Sequence, residues 1–185
     1  MSALATFLAV LVAALVALGY FDGLRGPRIH VTFTDAEPWC RRGNDGQQGQ
    51  RGLWIRLGVV NRGAGPARGC VGRLISVTTD GELRSDIDPV QLRWAGVPRS
   101  RAFDAMDLGR GQREYLNVLF LPDGGGWRLV TFEDPDFDPG FATDLPLDGR
   151  HTIQLSVFAN NADTATASLT AEVRCGQDQP RLRLS

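Results

Sequence analysis

A run of acidic residues, 133–144, is the part of the chain whose residue types and spacing come closest to a chemical site. Its carboxylates alternate with other residues at Asp134, Asp136 and Asp138. Carboxylate oxygens converge in this way on Ca²⁺ in calcium-binding loops. An EF-hand loop counted from Asp134 would need glycine at its sixth place and glutamate at its twelfth, where this chain has Pro139 and Leu145. The run therefore predicts either a Ca²⁺ site at the three aspartates or a structural loop.

The rest of the chain contains no pattern typical of catalysis. Its two histidines, His30 and His151, belong to no nucleophile motif and no metal-ligand spacing, and His30 falls on the solvent side of an alternating segment. The glycines at 124–126 lack the lysine and the following helix of a phosphate-binding loop. We therefore expect no enzyme and no catalytic residue. The enzyme alternative would place its site on the aspartates of residues 133–144.

The cysteines Cys40, Cys70 and Cys175 form no CxxC or Cys/His ligand pattern. Cys70 lies inside a strand-like segment, which predicts a small buried apolar side chain. Cys40 and Cys175 each follow a predicted strand near opposite ends of the domain. A disulfide between these two requires an oxidising compartment, so this prediction depends on where the domain resides.

Alternating apolar and polar residues predict that the domain is built of β-strands separated by Gly, Pro, Asn and Asp turns. The clearest pair is a hairpin that turns at Asn160 to Asp163. The alternating segments cover residues 28–34, 53–61, 67–77, 112–121, 127–132, 151–160 and 164–173. About eight or nine strands without an amphipathic helix predict an all-β antiparallel sandwich, with a partly open barrel as the alternative.

Less regular stretches predict loops, edge strands and a tail. Residues 41–52 are rich in Gly, Gln, Asn and Asp, which is typical of a loop. Short edge strands are predicted at 90–94 and 101–106, on either side of a Gly-Val-Pro sequence. Residues 177–185 predict a flexible tail, so the sandwich domain is expected to span residues 28–176.

A run without charged side chains, residues 1–21, predicts one transmembrane helix ahead of the domain. As a helix, residues 3–21 would reach about 30 Å, the thickness of the hydrocarbon core. The run is apolar on every side, as is typical of a helix buried in lipid. Residues 22–27 contain Gly and Pro and predict a short linker. We therefore expect the chain to contact a membrane through residues 3–21.

The sequence leaves two questions open, namely whether the apolar run is a retained anchor or a cleaved signal, and on which side of the membrane the domain lies. A cleaved secretory signal would begin with positive charge and have a shorter apolar stretch, although Ala17-Leu18-Gly19 resembles a cleavage site. That alternative predicts a secreted or periplasmic domain of the adhesion type. Arg25 and Arg28 follow the run and no arginine precedes it. Because positive residues stay cytoplasmic, this bias favours a cytoplasmic domain over a periplasmic or extracellular one.

The charge balance argues against one class of partner. The chain has 20 basic and 21 acidic residues, unlike the clearly basic domains that bind nucleic acid. Arginines nevertheless dominate residues 22–73, and acids dominate residues 133–148. Arginines next to the anchor would be attracted to anionic lipid headgroups. The alternative is that these charges are simply solvated on the surface.

Four segments, residues 57–67, 70–77, 108–112 and 153–173, place an Asn-x-Gly turn after one predicted strand and a Leu-x-x-Gly turn before another. Together these segments resemble bacterial immunoglobulin-like domains of the cell-adhesion-related (CARDB-like) type, in which the same two turns occur. The Cys, Trp, Cys spacing of antibody domains is absent. The resemblance implies an immunoglobulin-like β-sandwich with a binding role and carries over no site residues.

The anchor, the strand pattern and the missing catalytic motifs together predict a single-pass membrane protein that presents a protein interaction or scaffold module. A calcium-binding or catalytic domain that uses residues 133–144 is one alternative, and a secreted adhesion-type domain is another. An interaction module should expose an apolar or aromatic patch. We expect that patch near Trp39 or Trp94.

Overall fold

A computed structural model of the protein describes residues 3–17, 26–44, 50–130, 144–146, 148–173 and 181–185. In these residues one helix precedes thirteen β-strands, which form two antiparallel sheets around a shared core. The all-β antiparallel sandwich predicted from the alternating segments is confirmed at this level.

The first sheet is centred on two long strands, β3 (Arg51–Asn61) and β8 (Arg113–Pro122), which pair with each other. Two short strands cover the free edge of β3, namely β1 (Ile29–Thr32) and β2 (Cys40–Asn44). Three short strands extend the sheet beyond β8, and they are β6 (Arg93–Trp94), β9 (Trp127–Leu129) and β10 (Asp144–Leu145).

The second sheet is centred on β4 (Ala67–Thr79) and β11 (Gly149–Ala159). On the far side of β11 lie β12 (Ala162–Val173) and then β13 (Arg181–Leu184). On the far side of β4 lie β5 (Glu82–Leu83) and β7 (Met106–Leu108). The predicted hairpin of residues 151–173 is confirmed as the pair β11 and β12.

Inward-facing side chains of the two sheets form one core, as the alternation predicts. The inward residues of β3 and β11 are almost completely buried: Ile55, Leu57, Val59, Ile153, Leu155 and Val157. Burial of each such side chain stabilises the fold by about 1.5 to 3 kcal/mol. The sheets approach closely where Gly72 of β4 faces Leu116 of β8, because a Cβ at Gly72 would collide with the Leu116 side chain.

A β-bulge at Ile75 changes which face of β4 is buried. Leu74 lies opposite Leu155 and Ser76 lies opposite Gln154, so Ile75 is the extra residue. The bulge shifts the alternation by one position. Leu74 and Val77 consequently both point into the core, although strict alternation would place them on opposite faces.

The N-terminal helix, α1 (Ala3–Ala17), lies within the apolar run and contains 15 residues. Residues 6–14 of this helix are exposed. Within the described residues, no helix has both the length and the apolar character required to cross a membrane. Residues 18–25, where the predicted membrane segment 3–21 meets the predicted linker 22–27, lie outside the described residues.

The loop predicted for residues 41–52 is wrong in part, because residues 41–44 belong to β2 and residues 51 and 52 belong to β3. Arg41 lies opposite Trp54 of β3, and the Trp54 Nε1–H donates to the carbonyl oxygen of Asn44 at 3.3 Å. The pairing of β2 therefore depends on contacts with the next strand along the chain, which the Gly- and Gln-rich composition does not report. Residues 45–49 of the predicted loop lie outside the described residues.

The predicted tail and edge strands also need correction. Within the predicted flexible tail, residues 181–184 form β13, and Leu182 is only 8% exposed opposite Ala171 of β12. Burial of this leucine supplies the free energy that holds the segment on the sheet. The edge strand predicted at 90–94 is reduced to Arg93–Trp94, and that predicted at 101–106 gives way to a 3-10 turn at Arg99–Arg101 and a strand that starts at Met106.

The side chain of Asn61 joins several segments at one end of the sandwich. Its amide is completely buried. The Asn61 Nδ2 donates to the carbonyl oxygens of Gly65 at 2.7 Å and Leu108 at 3.0 Å. Its Oδ1 accepts from the backbone N–H groups of Gly63 at 2.9 Å and Arg28 at 3.1 Å. One amide with every donor and acceptor used thus ties the start of β1, the turn after β3 and the end of β7.

We expect Asn61→Ala to lower the free energy of unfolding by about 3 kcal/mol, because buried backbone partners lose their hydrogen bonds. Urea unfolding of the full chain in mild detergent, followed by tryptophan fluorescence, measures the change. The matched control is Asn44→Ala, which removes an exposed side chain and should change stability by less than about 0.5 kcal/mol. Equal unfolding midpoints for the two variants would contradict the role assigned to Asn61.

Candidate binding face

A row of residues crosses the whole first sheet on its outer face. Residues opposite one another on paired strands point to the same side of a sheet. From β2 to β10, the row consists of Arg41, Trp54, Phe120, Arg128 and Asp144. The Trp54 and Phe120 rings lie 4.8 Å apart at an angle of 48°, and the Arg128 Nε lies 3.6 Å from the Asp144 Oδ1. Arginines therefore flank an aromatic pair across the strands.

A second polar row lies next to the first. The Arg56 Nε of β3 donates to the Asn117 Oδ1 of β8 at 2.9 Å, and Asn117 is only 4% exposed. Arg93 of β6 lies opposite Asn117 on the next strand. Burial lowers the pKa of the Arg56 guanidinium, and the positive charge of Arg41 lowers it further. The guanidinium nevertheless remains charged at physiological pH, because an arginine starts far above that range.

Trp39 packs over the part of the sheet where side chains are smallest. A Cβ at Gly58 would lie 3.0 Å from the Trp39 Nε1, so glycine allows the indole to lie on the strand. The Trp39 Nε1–H donates to the carbonyl oxygen of Thr32 at 3.2 Å. Tyr115 meets the indole edge-to-face at 5.7 Å and 86°, and the Arg113 guanidinium lies 5.4 Å from the ring centre. A cation-π contact thus adds to the aromatic pair.

These rows form one surface, which we call the arginine-aromatic face. Its members are Trp39, Arg41, Trp54, Arg56, Arg93, Arg113, Tyr115, Asn117, Phe120 and Arg128. Phe120 is buried and forms the floor, whereas Trp39, Trp54 and Tyr115 are half-buried and Arg41 and Arg113 are exposed. The surface therefore offers guanidinium groups and aromatic rings to solvent together.

The charge of the first sheet is strongly unequal. Its described strands carry seven arginines against two acids, Glu114 and Asp144. The described strands of the second sheet carry five arginines against four acids. The near-neutral balance of the whole chain thus conceals one basic sheet.

The outer face of the second sheet has a different character. A shallow depression of about 460 Å³ lies there, lined mainly by uncharged polar residues that include Gln154, Ser156, Thr166 and Ser168. The residues that line it carry no charged side chain. The described outer face of the second sheet carries one exposed aromatic ring, Phe158, whereas the first sheet groups several rings with arginines, as binding hot spots do.

Guanidinium groups beside aromatic rings can bind carboxylates and pack against apolar side chains at the same time. Arginine forms bidentate hydrogen bonds with carboxylates, and its planar group stacks on rings. Trp, Tyr and Arg are also the residues that contribute most to protein-protein affinity. The arrangement is therefore suited to binding an acidic segment.

Sequence reasoning missed most of this face because its arginines are scattered along the chain. Trp54 and Arg56 occupy the outward positions of the same alternation that identified the core residues of β3. The alternation in β3 was therefore enough to predict that Trp54 and Arg56 face outward. It could not predict which other arginines lie beside Arg56, because the pairing of the strands determines that.

The predicted calcium ligands Asp134, Asp136 and Asp138 lie outside the described residues, so the Ca²⁺ site stays a prediction. In the part of the chain that the structure describes, no group of three or more His, Cys, Asp or Glu side chains could hold a metal ion. Of the acidic run, Asp144 is described, and it pairs with Arg128.

Of the two tryptophans expected in an exposed patch, only Trp39 belongs to a surface. Trp94 is 1% exposed, because β6 pairs with β8 and directs the indole into the core opposite Leu116. The expectation for Trp94 is therefore wrong. Its short segment has too few residues for the alternation to show which side is inward.

Cys40 and Cys70 are free thiols. Burial raises the pKa of Cys40 to about 12, and the Asp35 carboxylate, 3.5 Å from its Sγ, raises it as well. Burial raises the pKa of Cys70 to about 11. Cys70 is completely buried, as predicted, and the raised pKa of each thiol disfavours its nucleophilic thiolate form at neutral pH. The predicted Cys40 to Cys175 bridge involves a residue outside the described ranges.

The two histidines have opposite environments. His30 is exposed, as its alternation predicts, whereas His151 is completely buried on β11. The His151 Nε2 lies 2.8 Å from the carbonyl oxygen of Pro146, which can only accept, so Nε2 carries the proton. In the neutral ring Nδ1 then accepts from the Thr79 hydroxyl at 3.0 Å. His151 joins β4 to the residues after β10 and faces no open site.

Comparison with known proteins provides no relative. No family model matches the chain, and no curated protein or solved structure matches it significantly. Function is therefore inferred from the geometry of the described residues.

We expect the folded protein to lose stability as the pH falls from 7 towards 5, because burial lowers the pKa of His151 below its unfolded value of about 6.5. Below that value the unfolded chain binds a proton that the folded chain resists. A tenfold difference in proton affinity between the two states corresponds to about 1.4 kcal/mol of stability. The hydrogen bond to the Pro146 carbonyl oxygen and then the charge of Asp80 oppose the lowering of this pKa, and Arg84 acts in the same direction as burial.

Urea unfolding across this pH range tests the expectation. His151→Gln should flatten the dependence, whereas His30→Gln, which changes an exposed ring, should keep the slope of the unmodified protein. The same slope in His151→Gln and the unmodified chain would show that another group is responsible.

Proposed function

We propose that the protein is a membrane-anchored interaction module whose arginine-aromatic face binds an acidic segment of a protein partner. The observation that carries the proposal is the cross-strand row in which Arg41 and Arg128 flank Trp54 and Phe120. Charge complementarity sets the chemistry of the partner, because the described strands of this sheet hold seven arginines and two acids.

We infer further that the sandwich is immunoglobulin-like. The strands pair in the order β1, β3, β8, β6 in one sheet and β4, β11, β12 in the other. These orders correspond to strands A, B, E, D and C, F, G of immunoglobulin domains. The correspondence supports the resemblance to cell-adhesion-related domains, and such domains act by binding.

An acidic protein segment is favoured over nucleic acid as the partner. The excess of arginine lies mainly in one sheet of a chain that carries 20 basic and 21 acidic residues, so the long-range attraction that binds nucleic acids is weak. The half-buried rings and the Arg56 to Asn117 hydrogen bond instead give a preorganised, partly apolar surface. Such surfaces bind proteins with small entropic losses.

The anchor is supported by the sequence and by the exposure of α1. Residues 1–21 contain no charge, and the exposed side chains of α1 include Phe7, Leu8 and Val10, which are 59 to 67% exposed. Exposed apolar residues on a helix favour transfer into lipid. Arg25 and Arg28 favour a cytoplasmic position of the domain.

Binding of a fluorescein-labelled oligoglutamate peptide to the full chain in mild detergent, measured by anisotropy, tests the face. We expect saturable binding that weakens with added salt. Arg41→Glu combined with Arg113→Glu should weaken it by about a hundred-fold, since both side chains are exposed members of the face.

The matched control is Arg73→Glu combined with Arg183→Glu, which places the same charge change on exposed positions of the second sheet. It should leave affinity within about three-fold of the unmodified chain. Equal losses in both double variants would show that net charge alone drives binding and would contradict a defined face. Tighter binding of a single-stranded oligonucleotide than of oligoglutamate would contradict the proposed class of partner.

Membrane association and orientation are tested separately in bacterial cells. The full chain should remain in the membrane pellet after a carbonate wash, whereas a chain without residues 1–21 should be released. A reporter fused after Ser185 that is active only in the cytoplasm should be active. Release of the full chain would contradict the anchor, and activity of a periplasm-only reporter would reverse the orientation.

A further inference from the structure

The end of the sandwich at which the described domain begins is formed by three neighbouring segments, residues 26–28, 61–66 and 109–112. The Arg62 N–H donates to the carbonyl oxygen of Arg28 at 2.8 Å, and the Gly111 N–H donates to that of Asn61 at 2.8 Å. The buried Asn61 amide holds the first two segments together as well. The relative positions of these segments are therefore set by hydrogen bonds.

Each of the three segments presents one exposed arginine, Arg28, Arg62 and Arg110. We call the three arginines the basic end.

The length of the chain limits the distance between the apolar helix and the basic end. α1 ends at Ala17, and the described backbone resumes at Gly26. Whatever their conformation, the residues between these two points span at most about 30 Å. A helix embedded in a bilayer would thus hold the basic end within reach of the membrane surface.

We propose that the basic end binds the phosphate groups of anionic lipids beside the anchor. This inference rests on the proposed membrane anchor, and it adds the lipid class and the residues that contact it. Guanidinium groups form bidentate hydrogen bonds with phosphate, and an anionic surface attracts each nearby arginine by about five-fold in binding constant. The long strands β3, β4 and β8 extend away from this end, so the arginine-aromatic face would stand beside the membrane and remain open.

The test titrates the full chain in maltoside micelles with short-chain phosphatidylglycerol, short-chain phosphatidylcholine or inorganic phosphate. Backbone amide shifts at Gly63 and Gly111 report binding at the basic end. We expect saturable shifts with phosphatidylglycerol and much weaker ones with the other two compounds. Arg28→Gln, Arg62→Gln and Arg110→Gln combined should weaken this binding by about a hundred-fold.

The matched control combines Arg73→Gln, Arg150→Gln and Arg183→Gln, which are exposed on the second sheet, and it should retain the affinity. Circular dichroism melting tests whether both triple variants fold. If the basic-end triple variant does not fold, the single variant Arg62→Gln replaces it, and a smaller loss of affinity is then expected. Unchanged affinity in the basic-end variants overturns the proposal, and so do equal shifts with inorganic phosphate or with phosphatidylcholine.

Flotation of the full chain with phosphatidylcholine vesicles separates the two proposals. A chain that fails to float contradicts the anchor. A chain that floats, but whose amide shifts in the titration are no stronger with phosphatidylglycerol than with phosphatidylcholine, contradicts the basic end alone.

Discussion

The buried amide of Asn61 is the interaction on which the arrangement of both sheets depends. It sits where β3 ends and the chain crosses to β4, so its hydrogen bonds to Gly63 and Gly65 shape the connection between the sheets. Its bonds to Arg28 and Leu108 bring β1 and β7 to the same point. Burying the amide without these hydrogen bonds would raise the free energy of the folded state. The surrounding backbone therefore adopts the conformation that provides all four of them.

Strand β3, which ends at Asn61, contributes residues to both the core and the outer face. Its inward residues Ile55 and Leu57 fill the core, and its outward residues Trp54 and Arg56 belong to the arginine-aromatic face. Any shift of its register by one residue would exchange the two sets. The same packing that stabilises the sandwich therefore holds the arginines and rings in place.

Much of the fold could be predicted because its strands are long and alternate strictly. The hairpin of β11 and β12 has a period of two over many residues and a turn of Asn and Asp, so local chemistry was sufficient. Prediction failed at short elements. β2, β13 and β6 have few residues, and each is stable only through its neighbour: Trp54 for β2, the burial of Leu182 for β13 and the pairing with β8 that buries Trp94.

The sequence by itself determined that the domain is an antiparallel β-structure with a charge-free apolar segment ahead of it, since periodicity and composition are local properties. Only the tertiary structure decided that Arg41, Trp54, Phe120 and Arg128 form one row, because strand pairing unites residues far apart in the chain. It likewise decided that Trp94 is buried and that Arg28, Arg62 and Arg110 share one end. Local alternation specifies which side of a strand a residue occupies, and the neighbouring strands specify which other residues lie beside it on that side.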